Sequence, residues 1–145
     1  MKFTLCIQKQ EYLIKLFAPL HSPEMKYEKI IELGRSLPTL AEEFRTEEHL
    51  VKGCQSQLYI RCLEIDGTIR YEAFSDALIS AGLAALLLAV YNDEEPETII
   101  RCPPDFLHTI GVFSSLSPNR SNGLRSLFLK MQQDAIKILS QYNTL

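Results

Sequence analysis

Leu58-Tyr59-Ile60-Arg61-Cys62-Leu63-Glu64-Ile65-Asp66-Gly67-Thr68-Ile69-Arg70-Tyr71-Glu72-Ala73-Phe74 is the stretch that decides the fold. From Leu58 to Ile65 the side chains alternate. Leu58, Ile60, Cys62 and Glu64 take one face, and Tyr59, Arg61, Leu63 and Ile65 the other. A period of two is the signature of a strand. Asp66-Gly67 follows, and Thr68 to Phe74 makes the return run. An Asp-Gly pair between two alternating runs predicts a hairpin, because the tight turn that matches strand twist needs positive φ at both central residues. Cys62 shares a face with Leu58 and Ile60 and reads as core. His49 to Lys52 reads as a third short strand leading into the hairpin.

Helical patterns surround this hairpin. Thr4 to Phe17 reads as a helix stopped by Pro19. Ser22-Pro23-Glu24 is a start signal: a capping serine, proline at the first helical position and an acid in the first turn. Tyr27, Ile30, Ile31 and Leu33 form the buried stripe of that second helix, and Gly34 reads as its C-terminal stop. Leu37 to Leu40 reads as extended, since a proline disfavours helix in the residue before it. Ala41 to His49 is a charged, solvated run. Ser75 reads as the cap of the next helix, with Asp76 in its first turn. Ala77 to Tyr91 is apolar on nearly every side apart from Ser80 and Gly82, so it belongs in the middle of the fold. Pro96 to Cys102 reads as a short helix, and Asp105 to Ile110 as one or two more turns before Gly111. Ser117 to Gly123 reads as a polar loop. Leu124, Leu127, Phe128, Met131, Ala135, Ile138, Leu139 and Tyr142 then recur at three- and four-residue steps, the mark of a long amphipathic helix. The expected class is α+β, a small three-stranded antiparallel sheet packed against several helices. No repeat or linker divides the 145 residues, so one domain over 1–145 is expected.

The bulk composition excludes several classes. Fifteen basic against eighteen acidic residues leave a formal charge of −3, so no basic field points to nucleic acid. The apolar run 77–91 is shorter than the ~20 residues of a membrane span. Met1-Lys2-Phe3-Thr4 shows no secretory signal, which predicts a cytoplasmic protein with reduced thiols. No phosphate loop, dinucleotide glycine fingerprint or G-x-S-x-G turn is present.

What remains is a cysteine, in Val51-Lys52-Gly53-Cys54-Gln55-Ser56-Gln57. Gly53 tolerates a sharp backbone and can set Cys54 on a loop leading into a strand. Gln55 and Ser56 offer polar groups beside the sulfur. The thiolate is the reactive form of cysteine and needs partial exposure with hydrogen-bonding or positive neighbours. A buried structural thiol is the alternative for any cysteine. His49 lies near in sequence, and His108 leaves a cysteine–histidine pairing open. Cys54, Cys62 and Cys102, with His49 and His108, match no common zinc spacing, but a metal or iron–sulfur scaffold on those three cysteines is the second reading. A third is a pure interaction module in which Cys54 carries nothing.

Gly53-Cys54-Gln55-Ser56 resembles the active-cysteine motif of the SufE-type sulfur-acceptor family. Tyr27 to Leu40, Ser75-Asp76-Ala77 and Leu116 to Leu124 are similar, in the family's order, to its helix–glycine–Leu-Pro step, the start of its central helix and the loop before its last helix. Leu58-Tyr59 stands where the family often has valine and tryptophan. The resemblance implies a SufE/IscU-like fold and a persulfide-forming nucleophile at Cys54. It also implies supporting roles for Gly53, Gln55, Ser56, Asp76 and Arg120. Arg120 would stabilise an anionic sulfur, and Asp76 would fix the cysteine loop or regulate docking. The implied partners are a pyridoxal-phosphate cysteine desulfurase, which the chain stimulates, and a downstream iron–sulfur scaffold. The chain itself would hold no cofactor and would work as a monomer or homodimer. A persulfide is vulnerable to reductants, so the sulfur is expected to turn toward an apolar shelf at Leu58 and Ile60 and to swing out on docking.

Overall fold

The computed structural model describes residues 3–143. Met1 and Lys2 of the chain start, Thr144 and Leu145 at its end and the side chains of Tyr142 and Asn143 lie outside the described part. Helices α1 (Thr4–Phe17) and α2 (Pro23–Gly34) come first, then two 3-10 turns at Glu42–Phe44 and Glu47–His49. Strands β1 (Leu58–Ile65) and β2 (Thr68–Ser75) follow. Helices α3 (Leu78–Tyr91), α4 (Pro96–Arg101), α5 (Phe106–Thr109), α6 (Val112–Ser115) and α7 (Pro118–Asn143) complete the chain. The class is α+β.

The hairpin pairs Leu58 with Ser75 through to Ile65 with Thr68, so Asp66 and Gly67 are its two turn residues. Their φ values are +53° and +85°, as the tight turn demands. The expected third strand is absent: among the described residues the sheet has two strands. Leu50 makes only an isolated bridge to Tyr59, with Val51 N–H donating to Leu58 O at 2.8 Å. The 3-10 turn ending at His49 and the turn at Lys52-Gly53 leave no room for a longer ladder. On the other edge, the extended Pro38–Leu40 segment donates to and accepts from Ala73.

Local signals place α1 and α2 as expected. Ser22 Oγ accepts from Met25 N–H at 3.1 Å and Pro23 is the first helical residue of α2. Gly34 serves a different purpose from the expected stop. It remains in the helix, and a Cβ there would come within 2.8 Å of the Gly82 nitrogen. A Cβ on Gly82 would in turn collide with the Ile30 carbonyl. These two glycines let α2 and α3 cross backbone against backbone.

Helix α3 occupies the centre, packed by α1, α2, β2 and α7. Leu83, Leu86, Leu87, Leu88, Val90 and Tyr91 are all buried, each aliphatic side chain contributing about 1.5–3 kcal/mol of apolar burial. Buried hydroxyls find partners. Tyr71 donates to Met131 O at 2.8 Å and Tyr91 to Cys102 O at 2.6 Å. Two expected boundaries move. Asp76 precedes α3, because its N–H donates to Gln57 O at 3.2 Å and prolongs the hairpin past Ser75. Pro118 to Gly123 is helix rather than loop. Ser117 caps it, its carbonyl accepting from Ser121 N–H at 3.0 Å, and burial of Ser121, Gly123 and Leu124 outweighs the weak helix propensity of the segment. Helix α6 had no sequence signal.

Candidate functional site

The loop from Lys52 to Gln57 is held at both ends. Val51 binds Leu58 across its neck, and Gln57 N–H donates to Asp76 Oδ1 at 3.0 Å. Gly53 has φ +91°, and a Cβ there would press on Ser126 Oγ at 2.7 Å. Positive φ and contact with α7 together select glycine at this position.

This backbone sets Cys54 half-buried at the rim of a cavity of about 250 Å³. Its Sγ lies 3.3 Å from Ser56 Oγ, which lies 2.7 Å from Ser80 Oγ on the first turn of α3. Gln55, Ser56, Ser80, Asn119 and Arg120 supply the polar lining, and Leu58, Leu83, Leu124 and Leu127 the apolar one. The start of α7 forms a wall, where a Cβ on Gly123 would approach Cys54 Sγ to 3.1 Å. The exposed Arg120 guanidinium has no carboxylate partner among the described residues. The first turns of α3 and α7 carry the positive ends of their helix dipoles, so they and Arg120 favour negative charge in the cavity. A sulfur atom added to Cys54 would have room, hydroxyl donors and a cation nearby.

Sequence reasoning placed Gly53, Cys54, Gln55, Ser56 and Arg120 here, with Asp76 at the loop's base. It missed Ser80 and Gly123. Ser80 had a visible signal, being the one serine within an apolar helix. Leu58 lines the cavity as the expected shelf, whereas Ile60 is fully buried away from it.

Other groupings do not form. Cys54, Cys62 and Cys102 are not gathered: no cluster of three metal-ligating side chains occurs among the described residues. Cys102 instead contacts Cys6 at 3.2 Å. Cys62 packs against the core, where burial, reinforced by Asp134, pushes its thiol up to about 12. No histidine lines the cavity. His49 contacts Thr46 at 3.3 Å and His108 stacks beside Phe113.

A family model described as SufE, an Fe–S metabolism associated domain, matches residues 11–135. The chain belongs to the SufE family. It is 37% identical over 131 residues to SufE-like protein 1, chloroplastic/mitochondrial, of Arabidopsis thaliana, covering 90% of this chain. This chain spans about a third (35%) of that protein's length. It is 36% identical over 124 residues to an uncharacterized SufE-like protein of Synechocystis, covering 86% of this chain and 78% of the relative. The solution structure of a hypothetical protein from Thermus thermophilus superposes with a TM-score of 0.76 at 24% identity, covering 91% of this chain and 96% of that one. That likeness concerns the fold. SufE membership ties the chain to iron–sulfur metabolism. No helix among the described residues is long and apolar enough to cross a membrane.

Proposed function

We propose that this SufE-family chain is a sulfur acceptor and carrier with Cys54 as its nucleophile. The Cys54 thiolate attacks the outer sulfur of a persulfide held by a pyridoxal-phosphate cysteine desulfurase. The new S–S bond forms as the donor's S–S bond breaks, and the donor cysteine leaves as a thiolate. Cys54 then carries a persulfide and passes its outer sulfur to an iron–sulfur scaffold. Removing the product persulfide is what stimulates the donor enzyme. Pyridoxal phosphate belongs to the donor, and this chain's residues bind and orient sulfur. Ser56 donates to the anionic sulfur while Ser80 donates to Ser56, Arg120 balances the charge, and Asp76 keeps the loop in place. Residue Gly53 provides the turn and Gln55 part of the polar rim.

One observation carries the reading. Cys54 sits on a glycine-made loop at the mouth of a cavity lined by both serine hydroxyls and leucines. That environment suits a sulfane sulfur held away from bulk reductant. Burial of the carried sulfur at rest and its exposure on docking belong to the same proposal. Cytoplasmic location is part of it too, although the plant relative's name places that protein in chloroplasts and mitochondria.

The test is intact mass spectrometry after incubation with a desulfurase and cysteine. The expected result is a gain of one sulfur, about 32 Da, reversed by thiol and absent in Cys54→Ser. No gain with a desulfurase from the same cell overturns the proposal.

A further inference from the structure

A second thiol site lies in the core, apart from the Cys54 loop. Cys6 on α1 and Cys102 at the end of α4 are 96 residues apart in sequence, yet Cys6 Sγ lies 3.2 Å from Cys102 Sγ. The Gln10 side-chain amide donates toward both sulfurs at 3.6 and 3.7 Å and to Pro103 O at 3.2 Å, while its oxygen accepts from Phe106 N–H at 3.2 Å. A buried amide thus holds the two sulfurs side by side and braces the backbone after Cys102. An S–S bond is ~2.05 Å long, so closing this contact moves the sulfurs by only on the order of 1 Å. Packing alone asks for no such pairing, since two small apolar side chains would fill the space.

We propose that Cys6 and Cys102 are a modification site that closes to a reversible disulfide when a small hydroperoxide oxidises the pair. The Cys102 sulfur, the more exposed of the two at 6% against 0%, attacks the outer peroxide oxygen. The O–O bond breaks, leaving a sulfenic acid on Cys102 and one water or alcohol. Cys6 sulfur then attacks the Cys102 sulfur and displaces hydroxide, which departs as water with the Cys6 proton. The two thiols lose two electrons in all and the peroxide gains them. Burial, with Cys102 alongside, pushes the Cys6 thiol up to about 12, which suits a resolving thiol that keeps its proton until that step. A dithiol reverses the bond by exchange. The closed bond staples α1 to the segment between α4 and α5.

The experiment uses the full chain carrying Cys54→Ser, so that the loop thiol takes no part. Hydrogen peroxide is added to the folded protein, remaining thiols are blocked after unfolding, and mass and peptide linkage are read. The expected result is a loss of about 2 Da, a Cys6–Cys102 linked peptide and full reversal by dithiothreitol. The melting temperature should rise by roughly 10–20 °C in the oxidised form, as closing a loop of about a hundred residues implies. Neither change should occur in Cys6→Ala or Cys102→Ala. The proposal is overturned if Cys6 and Cys102 both remain blockable, if either pairs with Cys62, or if Cys102 stops at sulfinic acid.

Discussion

Two regions of this molecule hold reduced sulfur in opposite ways. Cys54 sits beside a positive-φ glycine turn, half-buried, with hydroxyls for partners and a cavity before it. Cys6 and Cys102 lie in the core with each other and one amide for partners. The side chain is the same. The difference is whether the backbone delivers the sulfur to a space that can hold a second sulfur atom. Burial in the core raises the cost of the Cys6 thiolate, while the Cys54 loop lies between two helix starts whose positive dipole ends face the cavity.

The sharpest way to break this contrast is alkylation. At pH 8 a thiol titrating near 12 is about one part in 10⁴ thiolate, and only the thiolate reacts. Iodoacetamide followed by peptide mass mapping should therefore label Cys54 first, with Cys6 and Cys62 lagging far behind because so little of each is thiolate. Comparable rates at all three would erase the contrast. Because the folded-state thiols of Cys6 and Cys62 titrate above the ordinary value of 9.0, their stabilising contribution is intact below that pH and is lost as pH rises toward about 12.

A smaller perturbation addresses the cavity. Gly123→Ala puts a methyl group about 3.1 Å from Cys54 Sγ. Sulfur uptake measured by mass should fall several-fold, since Cys54 Sγ must give way by a few tenths of an ångström and a misplacement of ~1 Å at a reacting atom costs about 10²-fold. Thermal melting should move little, because replacing a helical glycine recovers about 1 kcal/mol against the crowding. A large fall in melting temperature with unchanged uptake would assign Gly123 to packing instead. The mildest change is Ser80→Ala, which removes the far end of the hydroxyl chain. It should slow uptake a few-fold, the worth of about 1 kcal/mol for one hydrogen bond, and speed loss of the carried sulfur to added thiol. No change in either rate would leave Ser56 sufficient alone.

Much of the fold was legible because its signals are local. The Ser22-Pro23 start, the Asp66-Gly67 turn and the apolar run 77–91 each carry their physics within a few residues. The readings that failed depended on distant partners. Gly34 looked like a stop and is a contact surface for Gly82. Ser117 to Gly123 looked like a loop because serine, asparagine and glycine are poor helix formers; packing against the cysteine loop overrides that preference. The third strand was cut short by turns on both sides. Within the site, the loop residues were readable from Gly53 to Ser56, whereas Ser80 was visible only as an interruption.

By itself the sequence determined the hairpin with its Asp66-Gly67 turn, the helices α1, α2 and α3 and the glycine loop that carries Cys54, since periodicity, caps and turn residues act over one to eight positions. Only the tertiary structure decided which of four cysteines meets a cavity and which two meet each other. Those outcomes rest on contacts between residues as far as 96 positions apart, and no short-range preference of the chain encodes them.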